Sequence, residues 1–319
     1  MSVSTKTGTF PILKKAGFLN LLRIWISIAA FTSLSFAGPE EIEKILQQPE
    51  NKIDVGEACL VLSKDAYPDI DIKQCLFVFD NMTKGVEEII AYSKDKMSLP
   101  DKRIGAMNTF LFRPGPWNAI GRGKNMVFKY DDEHVDKLLP QSFFLPYMLF
   151  EHKGTCATMP TLWYILADRL KWPVNAVRGP MHVWVRYRGI KEGNIETTSN
   201  CGYIPDSQYC KDFRIGKKAV QNGIYLAPLT RKNFISTLLV NNAYYSTNVL
   251  RDTGRAIRYL KIAVKYDAKN MEALSGLGIL IKDNSLIRKA LSLGLTDHKY
   301  SDEFYEKRKK QLDNEKEQP

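Results

Sequence analysis

The sequence predicts an α+β chain: a mixed domain in which a cysteine-bearing helix packs on antiparallel strands, followed by an all-α segment. Three observations predict it. After Gly154-Thr155-Cys156, the apolar residues Met159, Leu162, Trp163, Leu166 and Leu170 recur at helical spacing until Pro173. From Pro180 to Tyr187 apolar and polar residues alternate as in a strand, and Asn194 to Thr198 reads as a second strand. Beyond about residue 232 the pattern is helical. The expected organisation is a signal peptide or anchor over 1–37, the mixed domain over 38–231, helices over 232–300 and a charged tail over 301–319.

The elements follow in order. Residues 40–110 read as helices, with Val86, Ile89, Ile90 and Met97 at near-helical intervals and Pro68 and Pro100 as breaks. A Gly/Pro-rich stretch around Arg113-Pro-Gly-Pro-Trp117-Asn118 and Gly121-Arg-Gly123-Lys124 follows. It lacks the spacing and the Ser/Thr of a phosphate loop, so it reads as a turn shaping a cleft wall. Asp132 to Glu151 reads as helical, broken at Pro140 and Pro146.

Composition excludes several classes. Hydrophobic residues make up 44% and charged residues 25% of the 319, with 15 Tyr, 15 Phe and 5 Trp available for a core. Wholesale disorder, a collagen-like repeat and a polytopic membrane protein do not have this composition. The net charge of +11 raises nucleic acid as a partner. Four of the basic residues, Lys6, Lys14, Lys15 and Arg23, lie in the first 37 residues, which contain no acid. Without them the chain carries 42 basic and 35 acidic residues, a net of +7. Those charges are scattered, with no basic stripe and no nucleic-acid motif, so no nucleic-acid partner is expected.

The same 37 residues have the layout of a secretory signal: a basic start, an apolar run from Ile24 to Phe36, and Ser35-Phe36-Ala37 at the end. Thirteen helical residues rise about 20 Å, short of a bilayer core. Extending the run back to residue 18 reaches spanning length but encloses Arg23, which is costly. The expectation is cleavage after Ala37 and a periplasmic location; the alternative is an inner-membrane anchor over residues 18–36.

Export brings an oxidising compartment. Of the five cysteines, Cys59 and Cys75 are 16 apart and Cys201 and Cys210 nine apart, so pairing neighbours leaves Cys156 alone. Four cysteines nevertheless allow three connectivities. Closing a loop of about 15 residues contributes roughly 3 kcal/mol in the chain-entropy model. No Cys-x-x-Cys occurs, and His134, His152, His182 and His298 are not spaced as ligands, so zinc is not expected. No acidic loop has calcium-ligand spacing, and no cofactor is expected.

Cys156 stands where the helix begins, beside the small Gly154. Backbone N–H groups and the positive end of a helix favour a thiolate there, and the N–H of Cys156 could donate to an oxyanion. His182 opens the first strand. A connection over 188–192 has an odd length of five, which places Glu196 diagonal to His182 on the same face. Glu196 would then orient the imidazole while His182 takes the proton of Cys156, the logic of nucleophile, base and orienter.

Gly154-Thr155-Cys156 opening a helix, Pro-x-His182 on a strand and Asn-Ile-Glu196-x-Thr198 together resemble the transglutaminase-like superfamily, within the papain-like cysteine-peptidase fold. The likeness is closest to the bacterial SirB1-type branch, in which such a domain precedes tetratricopeptide-like helices, and it spans roughly residues 50–300. It implies Cys156 as nucleophile, His182 as base and Glu196 as the acidic third member, a position commonly held by Asp in the superfamily. Some relatives of this branch lack the cysteine. Trp117 and Asn118 are candidates for a second oxyanion donor by position only, and read as cleft wall.

In the carboxyl-terminal third, Ala256 and Ala290 lie 34 residues apart and Leu277-Gly278 matches the Leu-Gly of a tetratricopeptide motif. Tyr244 and Ala268 depart from that motif. About one and a half repeats would pack on the catalytic domain or offer a short surface to a protein partner. The expected function is therefore an exported thiol enzyme forming an acyl-enzyme at Cys156 from an amide or peptide bond. Water would resolve it (peptidase or amidase), or an amine would (crosslinking). The substrate would be a protein or peptide of the cell envelope. The alternative is a catalytically silent envelope scaffold that binds partners through its helices. Membrane contact would come only through an uncleaved amino terminus.

Overall fold

A computed structural model describes residues 38–93, 96–115, 127–131, 140–191, 193–198 and 202–294. Four helices come first: α1 (Gly38–Gln47), α2 (Val55–Ser63), α3 (Ile72–Tyr92) and α4 (Leu99–Phe112). Then follow β1 (Lys129–Tyr130), α5 (Leu145–Glu151), β2 (Lys153–Gly154) and α6 (Thr158–Arg169). Three strands come next, β3 (Val174–Gly179), β4 (His182–Tyr187) and β5 (Asn194–Ile195), then the short α7 (Asp206–Asp212) and α8 (Lys217–Gln221). The described chain ends in α9 (Arg231–Asn248), α10 (Thr253–Tyr266), α11 (Met271–Leu280) and α12 (Asn284–Leu293). The fold is mixed α+β and mostly helical. Its sheets are a parallel pair β1–β2 and an antiparallel sheet in the order β3-β4-β5.

Local chemistry sets the helix starts. Asp54, Asp71, Ser98, Thr230, Asp252, Asn270 and Asp283 each accept an N–H from the first turn of α2, α3, α4, α9, α10, α11 and α12 respectively. Two prolines read as breaks instead lie in first turns, Pro100 in α4 and Pro146 in α5. A proline there lacks only an N–H that has no intrahelical acceptor. Met97 does not continue the apolar stripe of α3, which stops at Tyr92; its side chain is exposed in the connection to α4.

Helix α6 runs through the centre. It packs against α3 and α5 and against both strands of the β3–β4 hairpin. Every residue from Thr158 to Ala167 is buried, so the single apolar face expected from spacing becomes an all-round contact. Trp163 places its ring in the core and donates Nε1–H to Asn108 Oδ1 on α4 at 3.0 Å.

In the three-stranded sheet β4 is central. It pairs with β3 from Val174↔Tyr187 to Gly179↔His182, and with β5 through Val185↔Ile195 and Arg186↔Asn194. The second register is the one that a five-residue connection over 188–192 dictates. Strand β3 is an addition to the expectation: Asn175 and Arg178 interrupt its alternation, and five of its six residues are buried. Its outer edge is covered by the chain at 226–229, where Leu226 and Leu229 N–H groups donate to Arg178 and Ala176.

The helices α9 to α12 pack consecutively, as two helical hairpins. A Cβ on Gly278 would lie 2.8 Å from the Asp283 carbonyl and from Ile287, so the Leu277-Gly278 pair permits the close crossing of α11 and α12. Helices α9 to α11 share one hydrophobic cluster with α1–α6, while α12 buries Ala290 in a second cluster with Trp184 and Tyr209. Buried ions bolt the two parts together. Arg178 of β3 donates to Asp267 Oδ2 at 2.8 Å, and Arg255 of α10 pairs with Asp65 at the end of α2. Asn242 Nδ2 adds donations to Asp65 Oδ2 at 2.9 Å and to the Leu62 carbonyl.

Cys59, Cys75, Cys156 and Cys210 are free thiols. The Cys59–Cys75 bridge anticipated from spacing is not formed: Cys59 lines a small cavity with Thr161 of α6 and Leu238 of α9, while Cys75 lies in the first turn of α3. Burial and the nearby Asp71 carboxylate push Cys75 up to about 11, and burial with Asp54 likewise raises Cys59. Cys201, the anticipated partner of Cys210, lies outside the described residues, as do 1–37 and the tail 301–319. Among the described residues no helix is long and apolar enough to cross a membrane.

The ion pairs make a direct prediction. Asp65→Ala removes the carboxylate that pairs with the buried Arg255 guanidinium and accepts from Asn242, and should lower unfolding stability by about 3–5 kcal/mol, read by urea denaturation of the whole chain.

Candidate active site

The loop before α6 is shaped by two threonines. Thr155 N–H donates to Thr158 Oγ1 at 2.9 Å, Ala157 N–H donates to Thr155 Oγ1 at 3.2 Å, and Met159 N–H donates to the Thr155 carbonyl. The helix therefore starts at Thr158, and Cys156 sits in the turn just ahead of it rather than inside the first turn. Cys156 is half-buried. Among the described residues its N–H has no hydrogen-bond acceptor. Gly154 allows this loop to close: a Cβ there would lie 2.5 Å from Met159 Cγ and 3.0 Å from Met148 Sδ.

His182 opens β4 opposite Gly179. Glu196 is the residue after β5, and the Val185↔Ile195 pairing carries it diagonally toward His182. The two side chains meet, with His182 Nε2 and Glu196 Oε2 2.7 Å apart, and both residues are buried. That bond engages Nε2 of the imidazole, and the Cys156 thiol is the other group that raises the ring's proton affinity. Thus the three residues singled out in the sequence come together.

Glu196 is held at both oxygens. Oε1 accepts from the Thr198 N–H at 3.0 Å and from its hydroxyl at 2.7 Å, while Oε2 accepts a second bond from the Tyr209 hydroxyl at 2.9 Å. Burial alone would raise its carboxyl, but the bond and charge of His182 and the two Thr198 donors outweigh that and hold it below the ordinary carboxylate value. For His182, burial works toward a lower value. Hydrogen bonds to Cys156 and Glu196, and the charges of both, overcome it and lift the imidazole from 6.5 to about 9.

An aromatic wall surrounds the imidazole. Its ring stacks on Phe213 with centroids 4.8 Å apart and planes 18° from parallel. Trp184 lies 6.0 Å from it and stacks face to face on Tyr209 at 3.9 Å. Burial and the Glu196 charge keep the Tyr209 phenol protonated, so it acts as a donor. Helix α7, which carries Tyr209, is tied to the hairpin through Asp206 Oδ1, which accepts from Arg186 Nη2 at 2.5 Å and Asn194 Nδ2 at 2.7 Å. Asn194 Oδ1 in turn accepts from Trp184 Nε1 at 3.0 Å.

Tyr209, Phe213 and Asn194 were not singled out by sequence reasoning. The signal for the first two was the i, i+4 spacing of aromatics after Pro205. Trp117 and Asn118 lie outside the described residues. Among the described residues no group of three or more His, Cys, Asp or Glu side chains is placed to hold a metal. No family model and no curated protein matches the chain.

The electrostatics predict a titration. Glu196→Gln removes a charge that holds the proton on His182, so the imidazole value should fall from about 9 toward its ordinary 6.5, read by NMR titration of the ring. Because the folded value is raised, the stability it contributes is fully present below about 6.5 and lost as pH climbs through about 9. Denaturation midpoints of the wild type should decline across that window more steeply than those of Glu196→Gln.

Proposed function

We propose that this chain is an exported thiol enzyme of transglutaminase-like fold, which forms an acyl-enzyme at Cys156 from an amide or peptide bond. The observation that carries the reading is the buried His182–Glu196 bond at 2.7 Å, with the half-exposed Cys156 acting on the same imidazole. A carboxylate on one side of a histidine and a thiol acting on it are the groups that nucleophile, base and orienter require. The fold assignment draws support from the chain order: a cysteine just ahead of a central helix, then His opening one strand and Glu directly after its antiparallel neighbour.

In the proposed reaction His182 Nδ1 takes the proton of the Cys156 thiol, and the sulfur attacks the carbonyl carbon. The N–H of Cys156 is available to the oxyanion that develops. His182 then passes its proton to the leaving amine as the C–N bond breaks, which leaves a thioester. Water or a second amine, deprotonated by His182, attacks that thioester and restores the thiol. A raised imidazole value suits the first half of this cycle, since His182 keeps the proton it has taken until the leaving nitrogen needs it.

Iodoacetamide near neutral pH tests the assignment. Cys156 should be labelled at least about tenfold faster than the thiol of glutathione, and His182→Ala should abolish most of that advantage; peptide mass mapping identifies the site. Labelling no faster than glutathione and indifferent to His182→Ala would refute the enzyme. Export is tested separately by mass spectrometry of the protein from its native compartment. The expected amino terminus is Gly38, and an intact Met1 in the membrane fraction would establish the anchor instead.

A further inference from the structure

Two donors from different elements meet on one oxygen of Glu196. His182 Nε2 lies 2.7 Å from Oε2, and the Tyr209 hydroxyl donates to that same atom at 2.9 Å. The other oxygen, Oε1, is served by Thr198 through its N–H and its hydroxyl. The place of Tyr209 in the fold is secured without its hydroxyl. Its ring stacks on Trp184 with centroids 3.9 Å apart and planes 7° from parallel. Helix α7 is tied to the hairpin by Asp206, which accepts from Arg186 and Asn194. Phe213, at the end of the same helix, stacks on the imidazole. A phenylalanine at position 209 would satisfy the stacking equally, so what the phenol adds is one polar contact, made to the carboxylate oxygen that orients the base.

That contact has an electrostatic consequence. Among the described residues, the groups that act most strongly on the imidazole are Cys156, from the loop ahead of α6, and Glu196, after β5. Those that act on the phenol are Glu196, Arg186 of β4 and Asp206 of α7. Trp184 and Phe213 bring no charge. Burial and the Glu196 charge keep the phenol protonated, so its own proton does not move. A donor on a carboxylate stabilises the charged form and lowers its basicity. A less basic carboxylate holds the proton of a neighbouring imidazolium less firmly. Acyl transfer needs that restraint, because a base that never gives up its proton cannot protonate the leaving nitrogen.

We propose that Tyr209 is a positioning residue of the acyl transfer: by sharing Glu196 Oε2 with His182, its hydroxyl limits how firmly the carboxylate holds the imidazolium proton, and so lets the base release it. Tyr209 acts through Glu196 and needs no contact with substrate. This inference rests on the acyl-transfer reading of Cys156, and the two fail differently.

NMR titration of the His182 ring in the full chain reads the sharing. Tyr209→Phe keeps a ring against Trp184 but withdraws the donor, so the imidazole should titrate above its wild-type value of about 9, by roughly half a unit. With 3-fluorotyrosine at position 209, a stronger donor of nearly the same shape, the value should fall below that of the wild type. A merely structural role gives the opposite sign for Tyr209→Phe, because a loosened site lets the imidazole relax toward 6.5. In a Glu196→Gln background, Tyr209→Phe should leave the ring titration within about 0.2 unit, since the effect travels through the carboxylate. A fall or no change in Tyr209→Phe, no fall with 3-fluorotyrosine, or a rise that persists in Glu196→Gln overturns the assignment. Iodoacetamide labelling of Cys156 no faster than that of glutathione overturns the acyl-transfer reading itself, whichever way the ring titrates.

Discussion

Glu196 is a buried carboxylate with four hydrogen bonds, and the architecture around the hairpin is arranged to supply them. An ionised carboxylate withdrawn from water is costly unless its oxygens are met by donors. Thr198 meets one oxygen from the same loop. The other needs two donors from different elements, His182 from β4 and Tyr209 from α7. Holding α7 in place requires a further layer, in which Asp206 accepts from Arg186 and Asn194 of the hairpin. Trp184 is then gripped between the ring of Tyr209 and the side-chain oxygen of Asn194. Each part is therefore satisfied only when the hairpin, the β5 loop and α7 are all assembled, and the imidazole is oriented as a consequence of that assembly.

The helices that follow are built into the same body. Arg178 lies on β3, paired with Val183 next to His182, and sends its guanidinium to Asp267, Thr237 and the Lys269 carbonyl of the helical segment and to the Ile224 carbonyl ahead of it. Asp65 plays the reciprocal part, reaching from the end of α2 to Arg255 and Asn242. Buried ion pairs are weak contributors to net stability but are intolerant of losing one member. Their effect here is to penalise any arrangement in which the helices shift relative to the hairpin. A segment that looked like an appendix by its repeat pattern is thus a structural support of the strand that carries His182.

Much of the site was legible because its signals are local. The run from Thr158 to Leu170 has helical spacing, and a connection of odd length between two strands fixes which residues share a face. That parity alone predicted the meeting of His182 and Glu196. What escaped had no local signature. Strand β3 carries Asn175 and Arg178 because the chain at 226–229 and the helical segment supply their partners, so its pattern does not alternate as a half-exposed strand does. Tyr209 sits on a helix of seven residues and Phe213 caps its end, too short a stretch for periodicity to declare. Pro100 and Pro146 misled because a proline ends one helix and begins another with equal ease. The cysteine spacing suggested a bridge, yet spacing says nothing about where Cβ atoms point, and Cys59 on α2 and Cys75 on α3 remain free in the same core.

The protons of the site follow from who donates to whom. Tyr209 keeps its proton because burial and the Glu196 charge raise the phenol, so it can only donate. Glu196 is held ionised by the donors around it, so it can only accept. Fixing these two leaves the imidazole as the group that can change state, with Nε2 committed to the carboxylate. The neighbouring negative charge favours a proton on the ring. The aromatic wall bears on this as well. Phe213 stacks on the face of the ring and Trp184 lies alongside, so the aromatic wall sets the plane of the imidazole while Glu196 fixes its Nε2 edge.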